Sequence, residues 1–163
     1  MRPMKNRTTV ERKSERELVV TRLFNGPARL VFAAWTRPEL FGQWWVPKSV
    51  GMLLLSCEMD VRVGGRYRLE FAHGDSRAAF FGTYKEVIPH SRLVWTNEES
   101  DEASVTTVTF EEQGGKTLLA MRELYPSKEA LDTAGTGAAD AMVETFAQLD
   151  ELLVTLGASL ARS

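Results

Sequence analysis

The alternation of apolar and polar residues divides the chain into a strand, two short helices, a long run of strands and a final helix. Residues 17–24 form an apolar, β-rich run that the turn-forming Asn-Gly-Pro at 25–27 ends. Apolar side chains then recur at helical spacing over residues 30–35. The spacing from Thr36 to Glu39 is typical of a capping box, and it predicts that Thr36 caps a second short helix.

Between about residues 49 and 125 the helical spacing disappears and runs of β-forming residues follow one another. Residues 66–71 alternate charged and apolar side chains, which places the two kinds on opposite faces of a strand. Glycine pairs at 64–65 and 114–115 are typical of tight turns, and links this short make neighbouring strands antiparallel. The predicted strands cover residues 51–59, 66–72, 77–88, 92–98, 103–112 and 116–125.

One long helix is predicted to close the chain, from residue 137 to residue 156, with Gly157 as its end. A helix of this length spans about 30 Å, which is also the reach of strands of eight to ten residues. It therefore needs the whole sheet as its partner. The pattern predicts an α+β fold in which a curved antiparallel sheet of about six to seven strands wraps around the C-terminal helix, with two short helices after strand one.

Composition indicates one ordinary domain. The chain has 163 residues, 44% of them hydrophobic and 26% charged, with a formal net charge of -2. Because positive and negative charges nearly balance, the net charge favours neither nucleic acid nor a membrane as the main partner. Residues 1–15 are polar and basic, and are predicted to form a flexible arm ahead of a single domain at 16–160. A single cysteine, Cys57, and the lack of an export signal or membrane-length apolar run predict a cytoplasmic location.

Motifs for catalysis or metal binding are missing from the sequence. The glycine pair at 64–65 lacks the Lys-Ser/Thr of a phosphate-binding loop, so a turn is the better interpretation. His73 and His90 both fall at predicted turns without a ligand pattern beside them, and no Gly-x-Ser-x-Gly nucleophile elbow occurs. We therefore predict no metal, no cofactor and no catalytic set.

The aromatic residues are more informative. As a set they are too bulky to pack flat between a curved sheet and one helix, and such residues line ligand cavities, although plain core packing stays open for each one. The predicted ligand-pocket residues are Trp44, Trp45, Tyr67, Phe71, Phe80, Trp95, Phe110, Met142 and Phe146.

Four charged residues on the predicted strands could supply a polar group to such a pocket: Arg68, Glu70, Arg122 and Glu123. Because strand side chains alternate, at most half of them point inward, and most are expected on the solvated face. If the pocket is catalytic, Glu123 is the candidate acid or base, since its strand runs directly into the link before the final helix.

Five stretches of the sequence resemble a known family. They are VFAAWTRPEL at 31–40, WWVP at 44–47, DVRVGGRY at 60–67, GTYKEV at 82–87 and RLVWT at 92–96. Their order and spacing, over about residues 17–157, resemble the activator of Hsp90 ATPase homologue 1-like family, within the START/Bet v 1-like (SRPBCC, polyketide cyclase) superfamily. The resemblance implies a helix-grip fold. Many relatives carry His-x-x-Gly-Trp at the start of the last helix, whereas this chain has Met142 in place of the Trp, so the shape of the pocket is not carried over.

Three functions follow from these observations. The first is binding of a small hydrophobic ligand, lipid-like or aromatic, in a cavity between the sheet and the C-terminal helix. The alternative is an enzyme of polyketide cyclase/dehydratase or hydrolase type that uses the same cavity. The third is an Hsp90-type co-chaperone, which we rank last because the eukaryotic activator uses an additional N-terminal domain for much of that contact.

The expected partners are a small hydrophobic molecule and a second copy of the chain, with no nucleic acid and no membrane. A homodimer is predicted because the edges of an open sheet expose unpaired backbone groups, at strand one or at the strand near residues 53–58.

Overall fold

A computed structural model describes residues 8–98 and 104–161 of the protein. It contains an eight-stranded antiparallel sheet with the strand order β1-β2-β8-β7-β6-β5-β4-β3, so β1 and β3 are its edges. A 3₁₀ turn, Lys48–Val50, follows the second helix. The strands are β1 (Thr9–Arg12), β2 (Glu17–Phe24), β3 (Leu53–Met59), β4 (Arg66–His73), β5 (Ser76–Ile88), β6 (Arg92–Asn97), β7 (Ser104–Gln113) and β8 (Lys116–Leu124), and the helices are α1 (Ala28–Thr36), α2 (Pro38–Trp44) and α3 (Lys128–Ala161).

The predicted fold class is confirmed, with one strand more than expected. The extra strand is β1, which pairs with β2 from Thr9 opposite Thr21 to Arg12 opposite Leu18. A flexible arm is therefore the wrong prediction for residues 9–12, because Val10 packs against the core and fixes the strand. Residues 1–7 of the predicted arm lie outside the described residues. Strand one of the prediction, now β2, is covered by β1 and is not an edge.

Alternation and turns in the sheet follow the sequence pattern. On β4, Tyr67 and Leu69 are buried while Arg68 between them is exposed. Both Gly114 and Gly115 have positive φ, 60° and 83°, which the tight β7–β8 turn requires and which side chains with a Cβ rarely adopt. These elements were predictable because alternation and glycine turns are local properties of the chain.

Helix boundaries differ more from the predictions. Thr36 does not cap α2: its hydroxyl donates to the Phe32 carbonyl at 2.8 Å, because Thr36 is still the last residue of α1. The final helix begins at Lys128 rather than at residue 137, since the Ser127 hydroxyl accepts the Ala130 N–H at 3.1 Å and caps the helix there. It also continues through Gly157. With 34 residues, α3 is about 51 Å long.

The core lies between the concave face of the sheet and the side of α3 that faces it. Phe146, Leu149 and Leu153 of α3 are buried, and the Phe146 ring meets the Phe24 ring of β2 edge to face at 5.5 Å. Helices α1 and α2 pack against α3 and cover one end of the sheet. Across the described residues, no helix combines the length and the apolar character needed to cross a membrane.

Candidate functional site

A cavity of about 470 Å³ lies between the sheet and the helices α1 and α2. A second space of about 310 Å³ lies beside it and reaches Ala141, Met142 and Thr145 of α3. The two share Trp45, Phe80 and Glu123 in their walls, and both volumes fall in the range of small-molecule sites. The walls of the larger cavity are formed by Trp35, Phe41, Trp45, Met59, Tyr67, Leu69, Phe80, Tyr84, Trp95, Asn97, Ser104, Glu123 and Tyr125.

Six of the nine predicted pocket residues lie in these walls. Tyr67 and Trp95 line the larger cavity, and Phe71 and Met142 line the smaller one. The remaining two, Trp45 and Phe80, belong to both. Four of the six, Tyr67, Phe71, Phe80 and Trp95, lie at inward positions of β4, β5 and β6, whereas Trp45 follows α2 and Met142 lies on α3.

The other three predicted pocket residues, Trp44, Phe110 and Phe146, are core residues, and their assignment to the pocket is corrected. The indole N–H of Trp44 donates to the Ala34 carbonyl at 2.9 Å, which turns the ring away from the cavity. All three rings pack within 6.3 Å of the Trp35 ring, measured between ring centroids. Trp35 thus fills the space that these rings would otherwise face.

Sequence reasoning missed several wall residues. Trp35 was assigned to the buried face of a helix, and Tyr84 and Tyr125 carried no separate signal. Only the curvature of the sheet, which brings β5 and the end of β8 to one cavity, shows that these residues share a wall. The signal that could have found Trp35 is its place in the VFAAWTRPEL stretch.

A polar corner of the larger cavity is built around Asn97. The Asn97 Oδ1 atom accepts hydrogen bonds from the Tyr67 hydroxyl at 2.8 Å and from the Trp95 indole N–H at 3.2 Å. Its Nδ2 atom donates to Ser104 Oγ at 3.0 Å and to Thr106 Oγ1 at 2.9 Å. With all these bonds made, the Asn97 amide is held in one orientation.

The network continues from Asn97 through Thr106 to Glu123. Thr106 is fully buried, and its hydroxyl donates to Glu123 Oε1 at 3.3 Å. The Tyr125 hydroxyl also hydrogen-bonds to Glu123. Glu123 therefore brings a carboxylate, already oriented by two hydroxyl groups, into the wall of both cavities.

The other three charged candidates lie on the outer face of the sheet. Arg68 and Glu70 are half-exposed and bond each other at 3.0 Å. Arg122, the neighbour of Glu123, is exposed and lies 3.5 Å from Glu17. Strand alternation thus separates Arg122 from Glu123, as expected when neighbouring side chains point to opposite faces.

Residues 25–154, most of the chain, match the family described as Activator of Hsp90 ATPase homolog 1-like protein. The chain belongs to this family. The match begins just after β2 and ends within α3, so it includes both short helices and every residue that lines the larger cavity.

Solved structures show the same fold. A Rhodobacter sphaeroides protein is 24% identical with a TM-score of 0.84, covering 91% of this chain and 99% of its own. A Nitrosomonas europaea protein is 22% identical with a TM-score of 0.81, covering 90% of this chain and 99% of its own. An AHSA1-like protein from Aeromonas hydrophila is 17% identical with a TM-score of 0.69, covering 82% and 93%. A search of curated proteins finds no match.

Burial keeps the Tyr84 and Tyr125 hydroxyls and the Cys57 thiol protonated at neutral pH. Burial raises the pKa of Tyr84 and of Tyr125, the second also through the nearby Glu123 carboxylate. Burial, and next the charge of Glu39, raises the pKa of Cys57 to about 11, so the thiolate that a nucleophile requires is scarce at neutral pH. Within the described part of the chain, no three His, Cys, Asp or Glu residues form a group that could hold a metal ion.

Gln148 of α3 holds residues 45–47, which line the smaller cavity, in place by hydrogen bonds. The buried Gln148 amide donates to the Trp44 carbonyl at 3.0 Å and to the Val46 carbonyl at 2.8 Å, and its oxygen accepts the Lys48 N–H at 2.9 Å. Nearby, the Ser49 hydroxyl and N–H both donate to Glu144, which lowers the pKa of that carboxyl.

Replacing Gln148 with leucine is expected to lower the free energy of unfolding by about 2 kcal/mol. Leucine is of similar volume but leaves the two carbonyls and the Lys48 N–H without their partner. Hydrogen exchange should quicken over residues 44–50 while the sheet stays protected. Val143→Leu, at an exposed position of the same helix, is the matched control and should change neither quantity. An unchanged exchange rate over residues 44–50 in Gln148→Leu would show that Gln148 does not hold this segment against α3.

Proposed function

We propose that the protein binds a small hydrophobic molecule in the cavity between the sheet and the helices. The family and the fold support a ligand-binding domain in general terms. The finer proposal is carried by one observation, the wall of the 470 Å³ cavity, which in the described part of the chain is made largely of aromatic side chains with a polar corner around Asn97. A space walled in this way suits an apolar ligand with one or two polar groups.

Physical reasons also favour a ligand over plain core packing. Protein interiors pack as densely as organic crystals, and voids larger than a water molecule are few. The space of about 470 Å³ is far larger than such a void, and it is partly open to solvent, as a site that admits a ligand must be. An apolar molecule in it removes its own surface and that of the aromatic wall from water, which contributes about 25 cal/mol per Å² of apolar surface.

The neutral fluorescent probe N-phenyl-1-naphthylamine is expected to bind saturably, with a dissociation constant of roughly micromolar order, and to quench tryptophan emission. Phe80→Arg should weaken this binding by about tenfold or more, because it puts a charge into the wall that both cavities share. Phe81→Arg is the matched control. It lies next in the chain on the outer face of β5, opposite Arg68 in the strand pairing, and should leave probe affinity unchanged.

Phe80 suits this test because its side chain is 38% exposed, so an arginine there disturbs folding less than one at the buried Phe71. Thermal melts of both variants establish that they are folded. If the wild type shows no saturable binding, or if the two arginine variants lose affinity equally, hydrophobic ligand binding at this site is wrong.

The second candidate function is catalysis on a molecule held in the same cavity. It is favoured by the position of Glu123, a carboxylate in the cavity wall with the Tyr125 hydroxyl as hydrogen-bond partner. Mass spectrometry of the ligand after incubation distinguishes the two functions, since a binder returns it unchanged. Co-chaperone action on an Hsp90-type protein rests on the family description alone.

A further inference from the structure

We propose that a groove on the outer side of α1 binds a short extended segment of a partner protein, in which two acidic residues flank apolar ones. This α1 groove is formed by α1 together with Leu40, His90 and Leu156, and its volume is about 520 Å³. It shares no lining residue with either cavity. Three features carry the inference: the apolar floor of the groove, its positive charge and the distance between the charges.

Apolar side chains from three helices form the floor of the α1 groove. Leu30 lies on α1, Leu40 on α2 and Leu156 on α3. On one side the turn between β5 and β6 contributes His90, whose ring meets the Phe32 ring edge to face at 5.5 Å. The groove therefore offers an apolar surface to a partner, with a polar ring at its margin.

Two arginines without a partner lie in the same groove. Arg29 and Arg37 are both exposed. Most other arginines in the described part of the chain form ion pairs with carboxylates, whereas these two form neither an ion pair nor a side-chain hydrogen bond there. Both guanidinium groups are therefore free to pair with carboxylates from another molecule.

Acidic side chains are missing from the lining of the α1 groove among the described residues. Two acids lie near the ends of the helices that form it. Glu112 accepts the Ala28 N–H at 2.8 Å. Burial, and next the charge of Glu39, raises the pKa of the Cys57 thiol, which places Glu39 toward β3. The groove is thus positively charged, and a partner segment of negative charge is complementary to it.

The distance between the arginines indicates the form of the segment. Arg29 and Arg37 are eight residues apart, which is about 12 Å along a helix. In an extended chain, side chains four residues apart point to the same side at a distance of about 13 Å. A helix of the same length has a volume of roughly 900 Å³ at a diameter of about 10 Å. The groove of about 520 Å³ therefore suits an extended segment better than a helix.

The test is an NMR titration of the ¹⁵N-labelled protein at low salt with three peptides that are acetylated and amidated at their ends. SEILIES carries its two glutamates four positions apart, SQILIQS replaces both with glutamine, and SEEILIS keeps the composition but places the glutamates side by side. SEILIES is expected to shift the amide signals of residues 29–40. It should bind about fivefold more tightly than SQILIQS and about two- to threefold more tightly than SEEILIS, since exposed ion pairs contribute modestly and are screened by salt.

The double variant Arg29→Gln/Arg37→Gln should bind SEILIES and SQILIQS equally. Arg77→Gln/Lys116→Gln is the matched control, because it removes two positive charges from exposed positions of β5 and β8 and should keep the preference for SEILIES. Thermal melts establish that both variants are folded. If Arg29→Gln/Arg37→Gln does not fold, the three peptides on the wild type decide the matter.

Several results would overturn the proposal. SQILIQS or SEEILIS binding the wild type as tightly as SEILIES contradicts recognition of two separated carboxylates. A preference that survives Arg29→Gln/Arg37→Gln, or that disappears in the control, contradicts the role of the two arginines. The same signal shifts with inorganic phosphate at equal ionic strength indicate a site for small anions. Binding to vesicles of phosphatidylcholine and phosphatidylglycerol without binding of SEILIES indicates a membrane surface instead.

The α1 groove and the proposed ligand cavity are tested independently. Because they share no lining residue, Arg29→Gln/Arg37→Gln should bind N-phenyl-1-naphthylamine as the wild type does. Loss of peptide recognition with normal probe binding contradicts this inference alone. Loss of probe binding with normal peptide recognition contradicts the proposed function alone.

Discussion

Replacing Phe146 with alanine is expected to lower the free energy of unfolding by about 3–5 kcal/mol. Phe146 is fully buried at the centre of the contact between α3 and the sheet, where its ring meets the rings of Phe24 and Trp35 at 5.5 and 6.2 Å. The loss combines the transfer of the ring from water with the cavity that the ring leaves. Urea unfolding monitored by circular dichroism measures it.

Val154→Ala is the matched control for Phe146→Ala, because Val154 lies on the same helix with 67% of its surface exposed. Its effect should stay within about 0.5 kcal/mol. A loss below about 1 kcal/mol in Phe146→Ala would show that this side of α3 is not the core, and would contradict the helix-grip packing.

Replacing Asp150 with alanine is expected to cost about 3 kcal/mol, because it leaves the Arg22 guanidinium buried without the carboxylate that compensates its charge. The two side chains, 10% and 19% exposed, meet at 3.1 Å between β2 and α3. Arg22 also lies 5.6 Å from the centre of the Phe24 ring, so its charge is held inside the contact between helix and sheet. Thermal and urea unfolding measure the change.

Asp132→Ala is the control for Asp150→Ala. Asp132 forms ion pairs with Arg12 and Lys128 on the surface of α3, where water screens them, and its loss should be clearly smaller. The double variant Arg22→Met/Asp150→Leu should recover most of the stability, since apolar residues of similar volume replace a buried pair at little cost. If Asp150→Ala were as mild as Asp132→Ala, the buried pair would not contribute to the contact.

Two residues of α3, Phe146 and Gln148, connect the stability of the fold with the candidate site. Phe146 lies one helical turn from Met142, which lines the smaller cavity, and Gln148 ties the segment after α2 to the same helix. Helix α3 therefore holds the core and also part of the wall of the site. Variants in the core are expected to change ligand affinity only indirectly, through the position of this helix.

Local patterns predicted most of the elements. Alternation on β4, the paired glycines at 114–115 and the spacing of buried residues on α3 are each determined within a few residues. Helix ends were less predictable. The early start of α3 depends on the Ser127 cap and on the packing of Leu131 with Leu18 and Tyr125, which are far away in the sequence. Edge strand β1 was missed because its four residues gain stability only by pairing with β2.

The candidate site was predicted only in part. Trp45, Tyr67 and Phe80 were predicted from their aromatic bulk, and they line the cavity. Trp44 and Phe146 belong to the same class of bulky aromatic residues, yet they pack in the core. The size of an aromatic side chain is known from the sequence. The direction in which its ring points depends on neighbours such as the Ala34 carbonyl, which accepts the hydrogen bond of the Trp44 indole.

The sequence by itself determined the α+β class, the antiparallel order of the central strands, the long closing helix and the family, because these depend on periodicity, turn residues and local motifs. The tertiary structure decided which charged residue enters the cavity. Arg122 and Glu123 are neighbours, and alternation says only that they face opposite sides. The curvature of the sheet and the pairing of β8 with β7 place Glu123 beside Thr106, and this long-range contact turns an ordinary strand carboxylate into the polar end of the site.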